Sequence, residues 1–171
     1  MKIQIILLIL ALAFIGCNKE NKKPDLKFTG EAKGCSSFVV YKFNGSINES
    51  IAVTGIRDSL NLTTSEKSFD LQTVNSNNLK IEIKRFDGDA SGYYCDDIAD
   101  NAPKVISTWT GINGTVKIQI VQDSIATNPQ GKPEYKISVI LEKVNFQNDN
   151  DKNVFIDNIE FKEVYVGWLP G

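Results

Sequence analysis

Apolar and polar residues alternate with period two along most of this chain, and that pattern restricts the chain to β-structure. Leu79, Ile81 and Ile83 alternate with Lys80, Glu82 and Lys84, and Val116, Ile118 and Ile120 alternate with Lys117 and Gln119. Tyr135, Ile137, Val139 and Leu141 do the same against Lys136, Ser138 and Glu142, as do Ile159 and Phe161 against Glu160 and Lys162. Successive side chains of a strand point to opposite faces, so each segment offers one face to a core and one to water. Further strands are expected over 37–43, 50–56, 67–73 and 105–110. Between them, Asn44-Gly45, 75–78, Asp87-Gly88, Asn113-Gly114, 128–133 and 148–153 carry the residues that turns favour. Many short strands without amphipathic helices between them, each with one polar face, argue for antiparallel pairing. The expectation is an all-β fold: a single antiparallel β-sandwich over 34–171, with a partly closed β-barrel as the alternative.

Two features of composition narrow the chemistry. The chain has no histidine, which removes Ser-His-Asp and Cys-His catalysis, histidine-ligated zinc and histidine general bases. Lys and Arg number 19 against 21 Asp and Glu, a formal charge of −2; nucleic acid, which needs a basic patch, is excluded as a partner. Nothing follows the pattern of a phosphate-binding glycine loop or a dinucleotide fingerprint.

The start of the chain has a different character. Lys2 precedes an apolar run from Ile3 to Ile15 broken only by Gln4, the make-up of a secretory signal peptide and shorter than the ~18 apolar residues that a membrane span needs. The run ends Phe14-Ile15-Gly16-Cys17, which resembles the lipobox of bacterial lipoproteins. The resemblance implies cleavage after residue 16 and a diacylglycerol thioether on Cys17, with Phe14 standing where the family prefers Leu. Each buried methylene contributes about 0.8 kcal/mol, so two or more acyl chains hold a protein stably at a membrane. Loss of Lys2 with the leader leaves 18 basic against 21 acidic residues, or −3. The polar residues that follow, Asn18 to Pro24, cannot pack into a core, and 17–33 is expected to be a lipidated flexible tether. Asn18 is not the Asp that resembles an inner-membrane retention signal, which favours the outer membrane of a cell envelope; its periplasmic or surface face stays open.

That location bears on the other two cysteines. With Cys17 taken by lipid, Cys35 and Cys95 are left in an oxidising compartment and are expected to pair. A loop of about 60 residues closed in this way stabilises the fold by roughly 4 kcal/mol in the chain-entropy model. A redox-active thiol is the weaker reading, since no CxxC spacing is present.

Three groups of residues are candidates for a site. Asp87, Asp89 and Ser91, with Gly92 at the sixth position and Asp96, Asp97 and Asp100 beyond, resemble the first half of an EF-hand loop and make calcium the candidate cofactor. The alternative is a solvated turn. Tyr93, Tyr94 and Trp109 could stack on a sugar or peptide, while Trp168, near the end, is expected to pack as a cap. Asp58-Ser59-Leu60 and Asp123-Ser124-Ile125 look like the Asp-Ser/Thr-apolar O-glycosylation sequence of lipoprotein-rich bacteria, which requires Ser59 and Ser124 to be exposed. Three functions remain open: a non-catalytic binding module for glycan or protein, a structural component of the envelope, and a glycosidase using two carboxylates.

Overall fold

A computed structural model describes residues 26–95, 102–150 and 153–168. Among them the chain forms eight strands and one helical turn, and every strand pairing is antiparallel. The strands are β1 (Lys33–Cys35), β2 (Val39–Phe43), β3 (Glu49–Gly55), β4 (Lys67–Asp70), β5 (Leu79–Phe86), β6 (Val105–Thr127), β7 (Pro133–Gln147) and β8 (Asn153–Val166), with α1 (Arg57–Leu60) after β3. They make one sheet in the order β1-β2-β3-β5-β6-β7-β8, with β4 alongside β6. The sheet curls into a half-barrel, so that its two halves face each other across one core as the layers of a sandwich would. The all-β antiparallel expectation holds, in its partly closed barrel form.

Where the curl brings β1 to β8, the seam closes at one end. The Gly167 N–H donates to the Ser36 carbonyl, and the Trp168 indole N–H donates to the Gly34 carbonyl at 2.9 Å. Gly34 allows this approach, because a Cβ there would lie 2.7 Å from the Val164 and Val166 side chains. Trp168 therefore does cap the fold; residues 169–171 lie outside the described residues.

Asn113-Gly114, expected as a turn, lies inside β6, which runs unbroken for 23 residues. Gly114 takes φ +115° opposite Lys143, itself at φ +52°, and the register slips on both sides of Asn113. This is a bulge, and a Cβ at Gly114 would stand 2.7 Å from the Lys143 carbonyl. The bulge has a consequence for the core. Trp109 faces inward before it and Val116 after it, and on β7 Leu141 is followed by Val144. Odd positions give way to even ones, and the bend curls the sheet.

The final part of the expected tether also belongs to the fold. Phe28 is buried in the main core, Leu26 and Ala32 pack on it, and the Gly30 N–H donates to the Phe43 carbonyl at 3.1 Å. The polar segment's last apolar residues thus cover the sheet edge. Cys17 and Asn18 to Pro24 lie outside the described residues.

Candidate functional site

Cys35 and Cys95 form the expected disulfide, with Cα atoms 5.7 Å apart. The bond ties β1 to the loop after β5 and folds that loop over the outer face of β2, β3 and β5. There Tyr94 stacks on Tyr41 at 4.6 Å between ring centres, Tyr93 tilts against Phe86 at 4.6 Å, and the two tyrosines meet edge to face. The Tyr94 hydroxyl shares a 2.7 Å hydrogen bond with Ser50, and the Lys84 ammonium stands over both rings. Burial pushes the Tyr94 hydroxyl well above the usual tyrosine range. These aromatic faces are occupied by the protein itself, as a second small core that also holds Phe43, Ala52 and Ala90.

Trp109 is not in this group. It pairs in register with Ile83 and points into the main core, with 6% of its surface exposed and the Arg85 guanidinium over its ring. The three aromatics named as one ligand platform are therefore split between the two sides of the sheet. A change of one register position reverses the face a strand residue occupies, and the loop tyrosines have no register at all.

The acidic loop is built as a turn. The Asp87 carboxylate accepts the Lys104 N–H, and the Asp89 carboxylate accepts the Ser91 N–H, both at 2.8 Å. The latter bond holds the exposed Asp89 carboxyl below its ordinary range. Among the described residues no three acidic or cysteine side chains group as a metal site. Ser91 contributes its N–H to the turn, while Asp96, Asp97 and Asp100 lie outside the described residues. Ser59, on α1, and Ser124, at φ +50° in β6, are both exposed.

Two concave regions stand out on the surface. A groove of about 1010 Å³ follows the open seam, where Glu31, Glu160 and Glu163 are interleaved with Lys33, Lys42 and Lys162. Its charges balance, and it is open along its length.

The second is a pocket of about 520 Å³ at the closed end of the barrel, within the ~300–1,000 Å³ typical of small-molecule sites. Its floor is Tyr135, the first inward residue of β7, which is 1% exposed and donates its hydroxyl hydrogen to the Ser37 carbonyl at 2.6 Å. Burial raises that hydroxyl to about 12. Arg57, directly after β3, lays its guanidinium over the Tyr135 ring at 4.6 Å and bonds Asp123 through Nη2 at 2.7 Å. The hydrogen bond from Arg57, with its charge, holds the Asp123 carboxyl below its ordinary range. Arg57 Nη1 is buried and has no hydrogen-bond partner among the described residues.

The opposite wall is the β6–β7 turn. Its buried Asn128 donates to the Gly167 carbonyl at 2.7 Å and accepts the Gln130 and Lys132 N–H groups, each at 3.0 Å. Floor and walls are thus held by the protein's own bonds, which leaves the Gln130 and Lys132 side chains without a partner among the described residues. The sequence offered a faint signal of this site. Tyr135 opens an alternating strand at an inward position, where a hydroxyl must find a buried acceptor, but nothing in the pattern joined it to Arg57 or Lys132. Neither a family model, nor a curated protein, nor a solved structure matches the chain.

Proposed function

We propose that this protein is a lipid-anchored, extracytoplasmic binding module without catalytic function, and that it holds a glycan in the pocket floored by Tyr135. The observation that carries the reading is where this pocket lies and how it is made. The described chain comes onto the sheet beside Phe43, whereas the pocket opens by Ser36 and Ser37, at the other end of β2. The pocket therefore lies at the end of β2 away from the segment around Gly30, which is compatible with an anchor upstream of that segment. Rigid walls reduce the ordering cost of binding. Side chains that both donate and accept, here Ser36, Ser37 and Gln130, suit hydroxyl groups, which do the same. The disulfide between Cys35 and Cys95 fits an oxidising compartment and supports the export implied by the leader.

The test uses the full chain extracted from membranes in detergent. Mass spectrometry of its first peptide is expected to show a diacylglyceryl group on Cys17, and an unmodified Met1 would remove the anchor. A glycan array is expected to give saturable binding; an empty array together with an empty pull-down would remove the binding module.

A further inference from the structure

The pocket's charges point to a narrower ligand class, and the argument rests on the glycan reading just given. Its lining carries two cations, Arg57 and Lys132, against one carboxylate, Asp58, in a chain whose net charge is negative. Asp58 is exposed on α1 and is screened by water. Arg57 already has an anionic partner in Asp123 through Nη2 and its Nη1 is buried, but 22% of the side chain is exposed and it lines the pocket. Lys132 has no partner among the described residues and stands across from it on the β6–β7 turn. A guanidinium fixed against an aromatic ring loses little freedom when it meets a second oxyanion.

A peptide carboxylate fits this end less well. The Gly167 N–H is taken by Ser36, the Gly167 carbonyl by Asn128 and the Ser37 carbonyl by Tyr135, so these groups are not free to pair with an extended chain. Gln130, Ser36 and Ser37 instead supply scattered side-chain donors and acceptors around one compact space. We infer that the pocket takes the terminal sugar of a carboxylated glycan, with the sugar carboxylate between Arg57 and Lys132 and its hydroxyls on Gln130, Ser36 and Ser37.

Titration of the full chain in detergent with glucuronate, glucose, acetate and Ala-Ala dipeptide, followed by NMR or calorimetry, tests this. Glucuronate is expected to bind at least about tenfold more tightly than any of the others, and more weakly as salt is raised. Lys132→Gln, at an exposed turn position, is expected to weaken glucuronate about three- to fivefold, and Arg57→Lys about tenfold through loss of the guanidinium held against the Tyr135 ring. Binding of glucose, acetate or the dipeptide as tightly as glucuronate would overturn the inference, as would glucuronate binding that neither substitution changes. If an array finds neutral glycans while glucuronate does not bind, this inference falls and the binding module stands. If no glycan binds at all, both fall.

Discussion

The same three strands, β2, β3 and β5, support two apolar clusters of different construction on their opposite faces. The inner one draws on every long strand: Val40, Ile51, Val53, Ile81 and Ile83 meet Ile118, Ile137, Leu141 and Phe161 from the far side of the barrel. The outer one has Cys35, Tyr41, Phe43, Ala52 and Phe86 on the sheet, covered by the loop that carries Ala90, Tyr93, Tyr94 and Cys95, with Val39 and Trp168 at its margin. The inner cluster is closed by the register of paired strands, so its members hold one another in place. Loop residues have no ladder to fix them. Among the described residues the outer cluster is tied by one covalent bond, Cys35 to Cys95, and by a few polar bonds, among them Tyr94 to Ser50 and the Ala90 N–H to the Ile47 carbonyl. Area buried on the two faces is therefore secured by different means, and the two faces should fail differently.

Removing an inner side chain is the largest test. Phe161→Ala empties a fully buried site and is expected to cost about 3–5 kcal/mol in urea unfolding. Amide exchange should accelerate in every strand together, since the inner core is shared by all of them. Exchange confined to β8 would show instead that the barrel is held in separable parts. Next in size is the paired change Cys35→Ala and Cys95→Ala, expected to cost about 2–4 kcal/mol. Here the loop over 87–95 should lose its protection while β6 and β7 keep theirs. If β6 and β7 opened at the same time, the proposed independence of the two faces would be wrong. Tyr94→Phe is smaller, about 1 kcal/mol, because it leaves the buried Ser50 hydroxyl without its partner.

Much of the inner face was legible and the outer one was not, for a physical reason. Alternation marks a strand with one wet face, and β5, β7 and β8 have that character, which is why Leu79 to Ile83 and Tyr135 to Leu141 were found with their inward residues correct. Val39, Val40, Tyr41 and Phe43 on β2, and Ile51, Ala52 and Val53 on β3, are apolar on both faces. Such a run signals a strand covered on both sides, and it held the missing clue to where Tyr93 and Tyr94 go. Asn113-Gly114 misled because a bulge and a tight turn both call on glycine at positive φ; the reversal of phase between Trp109 and Val116 was the distinguishing sign. The pocket had no comparable sign. Arg57, Lys132 and Tyr135 come from a helical turn, a loop and a strand, and only the curl of the sheet brings them together.

Alkali separates the two faces without any substitution, through Tyr135 on one and Tyr94 on the other. Burial raises both hydroxyls, Tyr135 beneath Arg57 and Tyr94 on the inner side of the loop against Tyr41, the former to about 12 from an ordinary value of 10.0. A group whose pKa is raised by folding keeps its proton longer in the native state, so its contribution to stability is complete below pH 10.0. That contribution is lost as pH rises toward about 12. Phenolate absorbance should therefore show Tyr94 and Tyr135 ionising late, in step with unfolding, beside the exposed Tyr165, which its bond to Glu134 also raises, and no effect at neutral pH. In the protein lacking the disulfide, Tyr94 should titrate earlier while Tyr135 stays late, because only the outer cover has been loosened. Early titration of both would mean that the bond between Cys35 and Cys95 also secures the floor of the pocket, and that the two faces act as one.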